Sequence, residues 1–309
     1  MSWTVELRSL RVSRSDGTAL VGPHNLTLSS GRVHALAGES GSGKTLTLRA
    51  LAGVVPEGLV GSMNEGGRPL PRTAMVFQDP ASFFNPRWRV RRSLGEVLSC
   101  VRGIRGRSAA SAIAGLADAV GLTLDELRRF PFELSGGMVQ RAGIAMALAT
   151  EPELLLADEI TSALDPALSE RILAVLTGIA RSRDLAVILV SHDIQLLARV
   201  ADTVSILYRG LIVEEGNAQA VFTTPAHPYT DFLVRALPSA AARGRPLPEI
   251  PVVDEGDRDE GCPFRYRCPR AVSACRVMPP WDASRRVRCH RPLQSAPAGE
   301  SREKRRDGL

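Results

Sequence analysis

The segment Gly38-Glu39-Ser40-Gly41-Ser42-Gly43-Lys44-Thr45 fits G-x-x-x-x-G-K-[ST], a loop that cradles phosphate groups. Its glycines let backbone N–H groups converge on an anion, and the helix that follows presents its positive N-terminal end. Lysine and arginine together number 39, yet lysine occurs only at Lys44 and Lys304. Arginine is the cation almost everywhere else. A crowded loop wrapped round a phosphate has room for a compact ammonium on a flexible stem, not for a planar guanidinium. Thr45 would place a hydroxyl on magnesium. The chemistry implied is phosphoryl transfer from a nucleotide, with Ser40, Gly41, Ser42, Gly43, Lys44 and Thr45 around the phosphates.

Two further patterns narrow that chemistry. Leu154-Leu155-Leu156-Ala157-Asp158-Glu159 is an apolar run that ends in two acids. Such a strand delivers its carboxylates to the carboxyl edge of a sheet, where ligands bind in α/β folds. Asp158 is placed to hold magnesium, and Glu159 to polarise an attacking water. Leu134-Ser135-Gly136-Gly137 precedes a long helical pattern that ends near Pro152. Ser135 there reads as an N-cap, with Gly136 and Gly137 clearing the way for a phosphate at the helix end.

The elements that must position these groups alternate β-rich and helical stretches, as a mostly parallel α/β sheet does. Val33–Ala37 reads as the strand entering the phosphate loop and Thr45–Leu51 as the helix leaving it. Leu154–Ala157 and Ala186–Val190 are continuous apolar runs, the mark of strands buried on both faces. Arg102–Val120 is alanine-rich and reads as helical. Val12–Leu28, with Asp16-Gly17, reads as antiparallel strands around a turn.

In this order the motifs make the chain resemble the ATP-binding subunit of an ABC transporter, from about Thr4 to Pro238. The resemblance implies a P-loop ATPase domain with a mostly parallel core, an antiparallel β subdomain and a helical subdomain. It implies ATP and Mg2+ as ligands. It assigns Gln78, in Val76-Phe77-Gln78-Asp79-Pro80, to a Q-loop that touches magnesium and reports nucleotide state to the membrane subunits. Ser162-Ala163-Leu164-Asp165 resembles the D-loop of the dimer interface. His192, in Val190-Ser191-His192-Asp193, resembles the switch histidine that contacts the terminal phosphate. Two such domains clamp head to tail, so Ser135, Gly136 and Gly137 would serve the nucleotide held by the partner. Arg14 stands where the family has an aromatic residue on adenine; a guanidinium can stack on a base plane instead. Ile160 replaces the usual proline after the catalytic glutamate, and the stretch from Gly53 to Gln78 implies a trimmed antiparallel subdomain.

Two segments resemble the oligopeptide, dipeptide and nickel uptake subfamily. One is Phe77-Gln78-Asp79-Pro80-Ala81-Ser82-Phe83-Phe84-Asn85-Pro86. The other is Ala226-His227-Pro228-Tyr229-Thr230, following Val213-Glu214-Glu215-Gly216, in which His227 is expected to order a turn rather than bind metal. The implied function is ATP hydrolysis that powers peptide import, with nickel or a metal chelate as the alternative solute. The implied partners are a second ATPase subunit (a copy or a paralogue), two membrane permease subunits and an extracytoplasmic solute-binding protein. The implied location is peripheral, on the cytoplasmic face of the membrane.

The C-terminal part carries its own chemistry. Cys262, Cys268, Cys275 and Cys289 are spaced C-x5-C-x6-C-x13-C, with His290 beside the last. A segment this small needs a staple, and a metal is expected. Zinc favours tighter pairs of cysteines. Four thiolates without such pairs fit an iron–sulfur cluster better, and the subfamily resemblance suggests a 4Fe-4S cluster; zinc (Zn2+), disulfides and free thiols remain as alternatives. Cys100 is expected to be a plain buried residue. The expected organisation is an ATPase domain over 1–221, a proline-rich connecting arm over 222–259, a four-cysteine module over 260–292 and a disordered tail over 293–309.

Bulk properties exclude several classes. No apolar run approaches the ~18 residues that cross a bilayer, and Met1–Leu10 lacks a signal pattern. The net charge is +6 over 309 residues. The span Cys262–Arg291 contains eight arginines and a single acid, Asp282, so the ATPase domain carries almost no net charge. That argues against a nucleic-acid surface there, and no nucleic-acid partner is expected. An ABC-type ATPase of nucleic-acid metabolism, favoured only by the basic tail, is the rival class.

Overall fold

The computed structural model describes residues 2–65, 70–162, 164–236 and 261–293. Nine strands are formed: β1 (Thr4–Arg14), β2 (Ala19–Ser29), β3 (Val33–Ala37), β4 (Leu59–Glu65), β5 (Thr73–Val76), β6 (Leu154–Asp158), β7 (Ala186–Val190), β8 (Thr203–Tyr208) and β9 (Leu211–Asn217) among the described residues. Their α-helices are α1 (Lys44–Leu51), α2 (Val90–Arg102), α3 (Gly106–Ala119), α4 (Gly136–Leu148), α5 (Pro166–Ser182), α6 (Ile194–Val200), α7 (Ala218–Thr223) and α8 (Pro228–Arg235). Six strands form one sheet in the order β5-β6-β7-β3-β8-β9. All neighbours in it run parallel except β9, which turns back against β8. The other three form an antiparallel sheet in the order β2-β1-β4.

The central strands explain their own composition. In β6, Leu154 and Leu156 pack with β1, β2 and α1, while Leu155 and Ala157 pack with the helices on the opposite face. In β7, Ala186, Ile188 and Val190 take the first side, Val187 and Leu189 the second. Successive side chains of a strand point to opposite faces. A strand covered on both faces therefore has no polar position to spare, and both strands are buried throughout.

The helical reading of Arg102–Val120 holds over Gly106–Ala119, and its first residues belong to the end of α2 and a turn. Arg102 ends α2, and Gly103 adopts φ 68° with its N–H bonded to the carbonyls of α2's last turn. A left-handed glycine of this kind terminates a helix, and α3 starts afresh at Gly106. Cys100, expected to be buried, is exposed. The buried stripe of α2 is Val90, Leu94 and Leu98, and Cys100 falls off that i, i+4 face.

The chain beyond residue 221 stays in contact with the sheet. Helices α7 and α8 pack into the same core as the sheet, with Phe222, Tyr229 and Leu233 buried there. Cys262, Phe264 and Cys275 join that core as well. The first part of the expected 222–259 arm thus packs on the same core. Its stretch over 237–259, Ala163 of the D-loop and the tail from 294 lie outside the described residues.

Candidate functional site

Because β5, β6, β7 and β3 are adjacent and parallel, the loops after their carboxyl ends open on one edge. The phosphate loop follows β3, Gln78 follows β5, Glu159 follows β6 and His192 follows β7. Residues far apart in the chain meet there for that reason alone.

The loop is tightly held. Gly43 has φ 104°, and a Cβ on it would come within 2.8 Å of Val21. Ser40 and Gly41 lie exposed at the crest, and Ser42 is buried beneath them. Lys44 is buried, its Nζ donating to the carbonyls of Gly38 (2.9 Å) and Glu39 (2.8 Å). Burial lowers its pKa below the usual lysine value, and Glu159, Asp158 and Glu39 act against that shift. The site thus pairs one compact cation with a group of acids.

Thr45 Oγ1 donates to Asp158 Oδ1 at 3.1 Å. Burial raises the pKa of Asp158, and the adjacent Glu159 adds to the rise. Gln78 Nε2 donates to Glu159 Oε2 at 3.4 Å and to Ser162 Oγ at 3.2 Å. His192 Nδ1 lies 3.9 Å from Glu159 Oε2, and its side chain is 64% exposed. Glu159 itself has φ 48°. A non-glycine residue in the left-handed region is strained, and such strain gathers at functional sites. The Glu159 N–H donates to the carbonyl of Val190, tying the strained turn to β7. The paired hydroxyl and carboxylate oxygens of Thr45 and Asp158 are donors of the kind magnesium prefers.

Other expected residues stand apart from this cluster. Ser135 caps α4, its Oγ accepting from Met138 N at 3.4 Å. Ser135 and Gly136 are exposed, and Gly137 lies against Leu168. Arg14 closes β1 and is exposed; its backbone bonds are to its own hairpin, at Gly17 and Thr18.

The C-terminal segment holds the four cysteines against α8. Cys262, Cys268, Cys275 and Cys289 line one small enclosed pocket, together with His227 and His290. Burial pushes the Cys262 thiol up to about 11, and the other three thiols add to it. Burial also raises Cys268 and Cys289. Among the described residues, no three His, Cys, Asp or Glu side chains are gathered closely enough to hold a metal ion as they stand. The expected ligand set therefore shares a pocket without forming a coordination shell.

The His-Pro-Tyr turn is structural, as its sequence suggests. His227 caps α8, its Nδ1 accepting from Tyr229 N at 3.0 Å. The buried Glu214 carboxylate accepts the N–H groups of Ala226 (2.7 Å) and His227 (2.9 Å). Glu215 pairs with Arg286 at 2.6 Å. The two acids of Val213-Glu214-Glu215-Gly216 thus fasten two different segments, the turn and the C-terminal one.

Two contacts escaped the sequence reading. Gly210, with φ 78°, sits where a Cβ would lie 2.1 Å from the Leu20 carbonyl; its N–H donates to Ser42 and its carbonyl accepts from Gly22. The β8–β9 turn therefore braces the phosphate loop against β2. The other is the grip of Arg267 on Glu39, at 2.9 Å through each of its terminal nitrogens. A lone acid inside a phosphate loop was the one local signal for it.

Comparison with known proteins places these features in a family. The family description "ABC transporter" matches residues 21–162, and "Oligopeptide/dipeptide transporter, C-terminal region" matches residues 213–275. The chain is 35% identical to the oligopeptide transport ATP-binding protein OppD of Salmonella typhimurium, over 94% of each chain. It is 35% identical to the dipeptide transport ATP-binding protein DppD of Escherichia coli, over 87% of this chain and 90% of that one. Among solved structures, cbiO1 from Clostridium perfringens, part of the ABC transporter complex cbiONQ, superposes with a TM-score of 0.64 at 23% identity. That match covers 71% of this chain and 90% of that chain, and it speaks for the fold alone.

Proposed function

The chain belongs to the ATP-binding proteins of ABC transporters, in the oligopeptide and dipeptide group, and on that footing we propose that it hydrolyses ATP to drive peptide import. The observation that carries the reading is the meeting of Lys44, Thr45, Gln78, Asp158, Glu159 and His192 at one sheet edge. Lys44 and the loop N–H groups take the β- and γ-phosphates. Thr45, Asp158 and the amide oxygen of Gln78 are the residues that would hold Mg2+, which neutralises phosphate charge when bound. Glu159 orients the attacking water and accepts its proton, and His192 reaches the terminal phosphate. Ser135, Gly136 and Gly137, exposed on α4 or packed just beneath its end, close over the nucleotide of a second ATPase subunit. Arg14 stacks on the adenine.

Among the described residues, no helix is long and apolar enough to cross a membrane. Attachment at the cytoplasmic face then rests on two permease subunits, with a solute-binding protein on the far side. A groove of about 910 Å³ lined by Phe77, Phe83, Trp88, Val97, Val101 and Met146 supports this assignment. Its lining is mainly apolar with Arg72, Asn85 and Glu96 among it, and Phe77 is the chain neighbour of Gln78, so a docked permease would lie beside the residue that senses the nucleotide.

For the C-terminal segment, the proposal is a metal centre held by Cys262, Cys268, Cys275 and Cys289. Four thiols facing one pocket are the donor chemistry of an iron–sulfur cluster or of zinc. A bound cation would remove the thiol protons and supply the reason for the sulfurs to converge. Anaerobically purified protein is expected to show visible absorbance with matched iron and acid-labile sulfide, both lost in Cys275→Ser. Stoichiometric zinc without iron would overturn the cluster and keep the metal.

The import reading is tested in membranes reconstituted with both permease subunits, the partner ATPase and the solute-binding protein. Peptide-loaded binding protein is expected to stimulate ATP turnover several-fold. Stimulation by a nickel-loaded receptor and not by a peptide-loaded one would refute it.

A further inference from the structure

Glu39 is an acid built into a loop that must receive a triphosphate. Like charges a few ångströms apart repel strongly where the surroundings are partly buried, so an unbalanced carboxylate there works against binding. The structure balances it from the far end of the chain. Both terminal nitrogens of Arg267 donate to the Glu39 carboxylate at 2.9 Å, a fork-to-fork pair across 228 residues. Arg267 Nη1 also donates to Tyr208 Oη at 3.2 Å. The Glu39 N–H donates to Tyr229 Oη at 2.8 Å, and the Glu39 carbonyl accepts from Lys44 Nζ at 2.8 Å. Every polar group of this residue is thus committed, two of them to residues of the C-terminal region.

The arginine does not reach the loop by chance. It ends the short 3-10 turn Arg265–Arg267, which Phe264 anchors. The Phe264 ring is buried edge-on to Tyr208, with centroids 5.3 Å apart, and tilted against Tyr229 at 5.4 Å. Only 19% of the Arg267 side chain is exposed. Its next neighbour in the chain is Cys268, one of the pocket thiols.

We infer that Arg267 is a positioning residue for nucleotide binding: it neutralises Glu39 and draws that carboxylate away from the phosphate seat. The cysteine-bearing segment is thereby part of the nucleotide site, not an appendage. The inference rests on the proposal that the Lys44 loop holds ATP.

The test is ATP turnover in the assembled transporter, with KM and kcat separated. Arg267→Gln is expected to raise KM for ATP about tenfold and to leave kcat within about twofold. Rising salt should shrink that deficit, because screening weakens the exposed carboxylate. Arg267→Lys keeps the charge but loses the fork, so its KM should fall between those of the parent and of Arg267→Gln. The decisive variant is Arg267→Gln with Glu39→Gln: removing the acid as well should return KM to within about threefold of the parent. An unchanged KM in Arg267→Gln would overturn the inference. So would a deficit that persists in the double variant, which would make the pair a mere structural pin. If Arg267→Gln lowers assembly, the double variant and Arg267→Lys still decide between charge and shape. Lys44→Ala separates the two layers: normal ATP binding in that variant would sink the loop reading itself. Lost binding there, with Arg267→Gln unaffected, would sink the arginine alone.

Discussion

Glu159→Gln should bind ATP as the parent does and lose turnover by about 10³-fold, the range expected when a general base is removed. The substitution is nearly isosteric. Its amide oxygen can still accept from Gln78 Nε2, the donor now 3.4 Å from Glu159 Oε2. The strained turn is held by the backbone, through the Glu159 N–H to Val190 and the Glu159 carbonyl to Ser162 N. Neither bond involves the side chain, so the geometry of Asp158 and Thr45 survives. What disappears is a negative charge and a proton acceptor next to the attacking water. Loss confined to kcat, with equilibrium ATP affinity retained, is the signature of an interaction made only in the transition state. The measurement is single-site ATP binding beside multiple-turnover hydrolysis in the assembled transporter. Rapid multiple turnover by this variant would remove Glu159 from its role.

Lys44→Ala should act one step earlier. The ammonium sits within 2.9 Å of the Gly38 carbonyl and 2.8 Å of the Glu39 carbonyl, buried at the root of the loop. It is the buried ammonium beside the acids Glu39, Asp158 and Glu159. Removing it takes away the charge-assisted contact to phosphate and the nearby positive charge that favours the carboxylates of Asp158 and Glu159, while Glu39 keeps its pair with Arg267. Truncating a buried charged partner costs ~2–5 kcal/mol, so ATP affinity should fall by about 100-fold or more. Lys44→Arg is the sharper comparison. Arginine supplies nearly every other positive charge of this chain, yet a planar fork cannot occupy the space that a single nitrogen fills between two carbonyls. It should fail about as badly as alanine in equilibrium nucleotide binding. Near-parental affinity in Lys44→Arg would show that charge alone matters and that the loop is looser than its contacts imply.

Much of this molecule was legible in local pattern. The phosphate loop, the apolar strands with their terminal acids and the capped helix after Leu134 all depend on residues close in sequence. Short-range sterics and burial leave a repeating mark on such segments. The alanine-rich stretch Arg102–Val120 was legible as helix, but not the point at which that helix begins. Alanine content marks the helix, while Gly103 supplies the left-handed turn that stops α2 ahead of it. Cys100 was misjudged for a related reason: its type suggested burial, but the phase of the helix decided it.

Strand order was another matter. A strand buried on both faces is a continuous apolar run, and such a run does not say which strands flank it. The sequence by itself determined that this chain carries a phosphate cradle, paired acids and a set of clustered cysteines. Only the tertiary structure decided that Gln78, Glu159 and His192 converge, because β5, β6 and β7 lie side by side and end at one edge. It alone joined Arg267 to Glu39, since a contact spanning 228 residues leaves no periodic trace in either segment. Local sterics write themselves into the order of residues; long-range packing becomes visible only once the chain has closed on itself.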